Sequence, residues 1–372
     1  MLQTTGMLRQ TEHCLPMTKT PTVWLLLGDR VGDNNQVLRL IEALGWPYAE
    51  KYLKFISPTY RRSNSLLGAR LTSLDQDASD PLQPPWPDLV ISIGRRSVPV
   101  ARWIREQSHG STKLVVLGRP RARLGLFDLV ISTPQYRVRR ASNVLQIPTP
   151  LHGITEERLK DGKRQWCPRL AQLPRPQIAL LVGGQVAPFR FGVAKARELG
   201  ERANELAKRE GGSLLVSTSS RTGEAQREAL FGEIDVPSYL YAWRRNDPDN
   251  PYFGFLAEAD AFVVTGDSVS MMTEALSTGR PVQIFSLPVK RRPYARFKEK
   301  LNGIPVLRWF FMCLVEFGIM SLPRDPERIK QALLDADLAS ELGQPLDRST
   351  PRPPNSLVQV VARVRALFPE AH

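Results

Sequence analysis

The sequence predicts an α/β protein built from two successive doubly wound, Rossmann-like domains. Three observations carry that prediction. Short apolar runs of buried-strand length recur along the chain, helical stretches alternate with them, and a charged, proline-bearing stretch interrupts the series near the middle. A length of 372 residues suits two domains better than one.

Residues 23–27 read as the first strand, followed by a loop over 28–36, a helical stretch to Leu44, and Gly45 as its stop signal. A second strand is expected near 48–53, and the polar, proline-rich stretch 72–87 reads as a loop. The strand 89–93 leads through Gly94-Arg95-Arg96-Ser97 into a helix to about Gln107, and 113–117 and 129–132 are two more strands. These elements make an N-terminal domain over 21–150. Residues 1–20 read as an extension outside the fold. The stretch 151–177, with its prolines and charges and no long apolar run, reads as an interdomain connection.

A second α/β series occupies 178–342. Strand 178–182 ends in Gly183-Gly184-Gln185, and a helix spans about 193–209 with Gly211-Gly212 beyond it. Strand 214–217 precedes Ser219-Ser220-Arg221-Thr222-Gly223 and a helix from Glu224. Strand 261–264 runs into Thr265-Gly266-Asp267-Ser268, a helix to Thr278, and strand 282–285. The remainder, 343–372, is a proline-rich tether and a helix over 356–367, expected to return to the N-terminal domain. Ligands in such sheets sit beyond the carboxyl ends of the strands, where these loops lie.

Composition narrows the function classes. Hydrophobic residues at 42% and charged residues at 24% describe a globular chain. No apolar run approaches the ~20 residues that cross a bilayer, and the first residues lack a secretory signal pattern. Three scattered cysteines, Cys14, Cys167 and Cys313, form neither a disulfide framework nor a zinc motif, which suits a reducing, cytoplasmic compartment. The formal charge of +14 calls for anionic partners: nucleotide phosphates, nucleic acid, or an acidic membrane surface. Residues 290–298 mix cations with aromatics, and Trp309, Phe310 and Phe311 follow. That combination fits a peripheral site on the inner face of a membrane, a single-stranded nucleic acid, or a solvated helix face.

The segment from Asp260 to Phe285 is the richest in chemistry. A strand delivers Gly266, Asp267, Ser268 and Ser270 to a turn that opens a helix, where backbone N–H groups and hydroxyls make an anion site. Glu274 follows Ser270 by about one helical turn, and a carboxylate there suits a ribose diol. The competing reading has Asp267 or Ser268 capping the helix and Glu274 pointing to water. Gly183-Gly184 after a strand allows close backbone approach to phosphate, or a tight turn without a ligand. It matches neither a dinucleotide fingerprint nor a P-loop. Arg190 and Arg221 sit beyond strand-end loops, fit to neutralise a diphosphate or to be solvated. Asp33 is the candidate general base for deprotonating an acceptor hydroxyl, with an N-cap role as the alternative. His152 is a more remote candidate base. Asp247 and Asp249 form a DxD by letter only, inside a turn sequence, so no metal is expected.

The segment TGDSVSMMTEALSTGRPV resembles the signature of the elongated-mitochondria family, which comprises a plant mitochondrial fission factor and many bacterial relatives assigned to glycosyltransferases. It is more loosely similar to the sugar-nucleotide domain of two-Rossmann (GT-B) glycosyltransferases, including the one adding GlcNAc to lipid-linked peptidoglycan precursors. The order of motifs extends the resemblance over most of residues 21–320. It implies two domains facing a central cleft, with a nucleoside-diphosphate-sugar as donor substrate and no cofactor. It implies a donor site comprising Gly183, Gly184, Arg190, Ser219, Arg221, Gly266, Asp267, Ser268, Ser270, Met271 and Glu274. The acceptor side would comprise Gly28, Asp29, Gly32, Asn35, Gln36, Gly94 and Arg95, around Asp33. The implied acceptor is a glycan or lipid-linked glycan, and no specific nucleic acid is expected. The plant member also implies an alternative: a non-catalytic, membrane-associated adaptor that keeps a glycosyltransferase-like fold.

Overall fold

The computed structural model describes residues 20–56, 64, 68–186, 188–289, 305–317, 324–347 and 356–370. The extension over 1–19, the basic run 290–298 and most of the proline-rich tether therefore lie outside the described residues.

The first half contains β1 (Val23–Leu27), α1 (Val31–Leu44), β2 (Tyr48–Tyr52), β3 (Leu89–Ile93), α2 (Val98–Gln107), β4 (Lys113–Leu117), β5 (Leu129–Ser132) and β6 (Val144–Gln146). Its six strands form one parallel sheet in the order β2-β1-β3-β4-β5-β6. Alternate residues of a strand point to opposite faces, so β1 fills both layers at once. Val23, Leu25 and Leu27 meet α1, while Trp24 and Leu26 meet the layer containing α2.

α3 (Glu156–Leu170) follows, within the stretch read from sequence as a connection. Prolines and charges obscured it, because the helix buries little more than Gly162, Trp166 and Leu170. Thr155 caps its start by accepting from the Arg158 N–H at 3.2 Å. The helix is held by its fit to α6 (Tyr252–Glu258). A side chain at Gly162 would lie 2.7 Å from the Phe253 backbone, and one at Gly254 would overlap Trp166.

The second half contains β7 (Gln177–Leu181), α4 (Val193–Glu210), β8 (Ser213–Ser217), α5 (Glu224–Phe231), β9 (Ser238–Tyr241), α6, β10 (Ala261–Thr265), α7 (Val269–Ser277), β11 (Val282–Phe285), α8 (Pro305–Glu316), α9 (Glu327–Asp335) and β12 (Ser340–Glu341). Its sheet is also parallel and six-stranded, in the order β12-β11-β10-β7-β8-β9. The last helix, α10 (Ser356–Arg365), returns to the first domain, burying Val360 and Val364 in the core beneath α1.

Strand order reverses between β1 and β3 in one sheet and between β10 and β7 in the other. Loops that leave in opposite directions at such a point open a crevice beyond the strand ends. Both crevices face the space between the domains.

One expected loop is a helix. Residues 28–36 read as a loop, yet α1 begins at Val31, so Gly32, Asp33, Asn35 and Gln36 lie in its first turns. The cause is Asn34, whose amide donates to the Gly28 carbonyl at 2.7 Å while its Oδ1 accepts from the Gly28 N–H at 3.0 Å. One side chain closes the turn and leaves only Gly28 to Arg30 between strand and helix.

Candidate functional site

Three adjoining cavities lie along the strand ends of the two sheets, and the central one is lined from both. A cleft of about 790 Å³ opens at the β7/β10 switch point, a central cavity of about 170 Å³ lies between the sheets, and a third of about 340 Å³ occupies the β1/β3 switch point. Val269, Ser270, Glu274 and Arg324 line both the first and the second. Asp33 and Ile93 line both the second and the third.

The large cleft is walled by loops tied to one another. Asp267 is buried, and its Oδ2 accepts from the Gly184 N–H at 3.0 Å and lies 3.6 Å from the Arg221 guanidinium. Its other oxygen, Oδ1, is buried with no hydrogen-bond partner. Burial therefore pushes its pKa up against the opposing pull of the Gly184 N–H and Arg221. The Gly183 N–H donates to Thr265 Oγ1 at 2.8 Å, and the Gly183 carbonyl accepts from Ser219 Oγ at 2.7 Å and from the Thr222 hydroxyl. Arg221 also donates to Ser268 Oγ at 3.3 Å.

This lattice explains the double glycine differently from the sequence reading. A Cβ at Gly183 would collide with the Asp267 carboxylate, and one at Gly184 with the Arg221 carbonyl. Both N–H groups are already occupied by protein acceptors. Gly183, Gly184 and Gly266 are buried behind the cleft wall and do not line it. Arg190 is exposed and away from it, its backbone N–H donating to the Pro288 carbonyl at 2.8 Å. Ser219, Arg221, Asp267, Ser268, Ser270, Met271 and Glu274 do line it.

The capping alternative fails as well. Ser268 occupies the N-cap position of α7 but makes no side-chain cap, and Asp267 is committed to Gly184 and Arg221. The positive end of α7 therefore faces the cleft without an internal side-chain acceptor. Glu274, one turn along, does not point to bulk water: the Tyr252 hydroxyl donates to its Oε2. Burial raises the Glu274 pKa, opposed by that bond and by Arg158. Tyr252 is pushed well above its ordinary value by burial and then by the Glu274 charge.

On the other side, Asp33 is half-buried in the first turn of α1 and 3.8 Å from Arg30, not at the N-cap position. Gly32, Asn35 and Gln36 face the central cavity with it, while Gly28, Asp29, Gly94 and Arg95 line the third cavity. The expected acceptor side is thus split between two spaces that meet at Asp33. Asp29 pairs with Arg96 at 3.1 Å, and Gly94 has a φ of 70°, a conformation open to glycine. His152 reaches the central cavity. Burial, then Arg39, lowers its pKa. Its Nδ1 accepts from the Ile154 N–H at 3.3 Å, so the neutral ring carries its proton on Nε2 and offers the cavity a donor.

Asp247 and Asp249 are engaged with protein groups. Asp247 accepts from the Tyr241 hydroxyl at 3.0 Å, and Asp249 pairs with Arg169 at 3.4 Å. Sequence reading missed Thr218, Trp243, Tyr252 and Phe253 in the cleft, and Gln135, Tyr136 and Arg324 at its junction with the central cavity. Tyr252 and Phe253, just after the Asn246–Pro251 turn, were the one local signal; Arg324 had none.

The chain matches the family model described as Mitochondrial fission ELM1 over residues 31–337. Mitochondrial fission protein ELM1 of Arabidopsis thaliana is 30% identical over 270 residues, 66% of this chain and 62% of that protein. The chain thus spans about three fifths of the length of that relative. An uncharacterized protein of Rickettsia prowazekii (strain Madrid E), RP120, is 24% identical over 304 residues, 72% of this chain and 83% of that one. Among solved structures, Acinetobacter baumannii MurG gives a TM-score of 0.42 at 16% identity, covering 93% of this chain and 100% of that chain. The UDP-GlcNAc 2-epimerase from Methanocaldococcus jannaschii gives 0.46 at 11% identity, covering 93% and 99%. The family match over most of the chain makes this protein, with its two parallel six-stranded, doubly wound sheets, a member of the mitochondrial fission ELM1 family.

Proposed function

We propose that the protein transfers a sugar from a nucleoside-diphosphate-sugar to a hydroxyl of a glycan or lipid-linked glycan. The observation that carries this reading is the shared wall of the cavities. Glu274 and Ser270 serve the large cleft and the central cavity together, and Asp33 opens from the opposite domain into that same central space.

In this reading the nucleoside diphosphate occupies the large cleft. Its phosphates meet the start of α7 and Arg221, and a ribose hydroxyl donates to Glu274. The sugar enters the central cavity. The acceptor oxygen forms a bond to the anomeric carbon as the bond from that carbon to the β-phosphate oxygen breaks. The electron pair leaves with the nucleoside diphosphate, and the acceptor proton passes to the Asp33 carboxylate. Enclosure between two sheets aligns the partners and excludes water. Helix dipole and guanidinium supply the charge stabilisation, and no metal is called for.

The acceptor side extends to a membrane surface in the same reading. α8 leaves Val306 73% exposed, Trp309 68% and Phe310 56%, an apolar face suited to lying in a lipid interface on the cytoplasmic side. Among the described residues, no helix is long and apolar enough to cross a membrane.

The test is calorimetric titration with uridine, guanosine, adenosine and cytidine diphosphates. One series should bind, and Glu274→Ala should weaken it by roughly tenfold, the worth of a hydrogen bond to a charged group. Asp33→Ala should leave that affinity intact and slow transfer by roughly 10²-fold or more. A folded wild-type protein that binds no nucleotide would sink the donor reading and favour a non-catalytic adaptor.

A further inference from the structure

We infer that Arg324 is a diphosphate-binding residue that becomes competent only when the two domains meet, so that the opposite domain completes the donor site. The inference rests on the transferase reading and assigns a residue that the reading itself does not need.

Among the side chains lining the two connected spaces, Arg324 is the arginine common to both. It belongs to the second half of the chain, immediately before α9, yet its anchors belong to the first. Its Nε donates to Gln135 Oε1, and its guanidinium lies over the Tyr136 ring, 5.7 Å from the centroid. Gln135 is itself buried, and its amide nitrogen donates to Thr133 Oγ1 at 3.0 Å, which turns its oxygen towards the arginine. The next residue repeats the crossing. The Asp325 N–H donates to the Gln135 carbonyl at 3.0 Å, and the Asp325 carboxylate pairs with Arg137.

These contacts leave a specific part of the guanidinium free. Nε and the ring face are committed to the other domain, while neither terminal nitrogen has a hydrogen-bond partner among the described residues. Those two nitrogens form the end of a planar fork, the geometry that grips a phosphate through paired donors. The fork stands at the junction where Ser270 and the start of α7 also line both spaces. A phosphate there meets a helix N-terminus and an arginine together. The terminal phosphate gains negative charge as the sugar leaves, so the contact strengthens as transfer proceeds. An open molecule, with Gln135 withdrawn, loses the group that aims the fork.

The test compares nucleoside diphosphates with the matching monophosphates by calorimetry on the full chain, in wild type, Arg324→Gln, Arg324→Lys and Gln135→Met, each checked for an unchanged melting temperature. Wild type should prefer the diphosphate, and Arg324→Gln should cut diphosphate affinity by roughly tenfold while leaving the monophosphate within about twofold. Arg324→Lys, which keeps the charge and loses the fork, should fall between and carries the test if the glutamine variant does not fold. Gln135→Met, which touches no nucleotide, should weaken the diphosphate by roughly threefold or more through loss of aim. An unchanged diphosphate preference in Arg324→Gln overturns the assignment while the donor reading stands. Loss in Arg324→Gln without any in Gln135→Met overturns the dependence on the opposite domain. A wild type that binds no nucleotide removes the donor reading and this role with it.

Discussion

At the β7/β10 switch point three loops are bound to one another through buried and half-buried groups, with Asp267, Thr265, Ser219 and Thr222 each holding backbone of the double-glycine turn. At the β1/β3 switch point Asn34 closes the first loop on itself and the half-exposed Asp29–Arg96 pair ties it to the second, which Asn64 holds at the Arg95 carbonyl, while Asp29, Arg30 and Gly32 stand exposed. The same topology thus carries one rigid crevice and one open one. A wall whose loops are tied to one another keeps its shape before a ligand arrives, which on the proposed reading suits a constant nucleotide. A wall with more of its groups exposed adapts more readily, which on that reading suits a variable acceptor.

The contrast is breakable at its glycines, where the largest effect is expected. Gly184→Ala drives a methyl group into the Arg221 carbonyl and should cost about 2–4 kcal/mol, read as a fall in the urea midpoint. A midpoint within error of wild type would show that the wall at the β7/β10 switch point yields as easily as the other.

Asp267→Asn comes next, at about 1–2 kcal/mol, because an NH2 in place of one carboxyl oxygen disturbs the buried acceptor of the Gly184 N–H. Its pH dependence sharpens the comparison. The folded pKa of Asp267 is raised above its ordinary 3.8, so the native state holds this proton more tightly than the unfolded chain does. That contribution is fully present below 3.8 and is lost as pH rises through the raised folded value. The stability gap between wild type and Asp267→Asn should therefore narrow with rising pH over that acid window, measured by urea unfolding. A gap that widens would mean the carboxylate is held charged.

Tyr252→Phe removes the donor to Glu274 and should cost about 1 kcal/mol, with weaker nucleotide binding as the companion readout. The smallest effects belong to the open crevice. Gly32→Ala meets nothing within 4 Å, and Asp29→Ala breaks an ion pair whose carboxylate is 76% exposed. Each should change stability by no more than about 0.5 kcal/mol by thermal melting. A larger loss at either position would mean that the β1/β3 crevice is as constrained as the β7/β10 cleft.

Much of this architecture was legible locally. Parallel strands buried on both faces are continuous apolar runs, so 23–27, 89–93, 113–117 and 178–182 stood out in sequence. α3 did not, because its stability lies in two glycine-mediated contacts with α6 and not in an apolar stripe of its own. β6 and β9 are short edge strands, only partly buried, and they carry too little apolar pattern to separate from loops. Of the residues lining the large cleft, Ser268, Ser270 and Glu274 could be grouped from sequence because they share one helix start. Arg324 was missed because its partner Gln135 lies 189 residues away.

The sequence by itself determined the alternation of strands and helices, the two domains' worth of chain, and the placement of Gly, Asp, Ser and Glu at strand ends, since these follow from periodicity and turn chemistry within a few residues. Tertiary structure alone decided what those residues do. It turned Gly183 and Gly184 inward to admit Asp267 and Arg221, placed Asp33 within a helix instead of a loop, and brought Arg324 against Gln135 and Tyr136. Those outcomes depend on how two sheets dock, and docking joins groups whose separation along the chain leaves no local pattern to read.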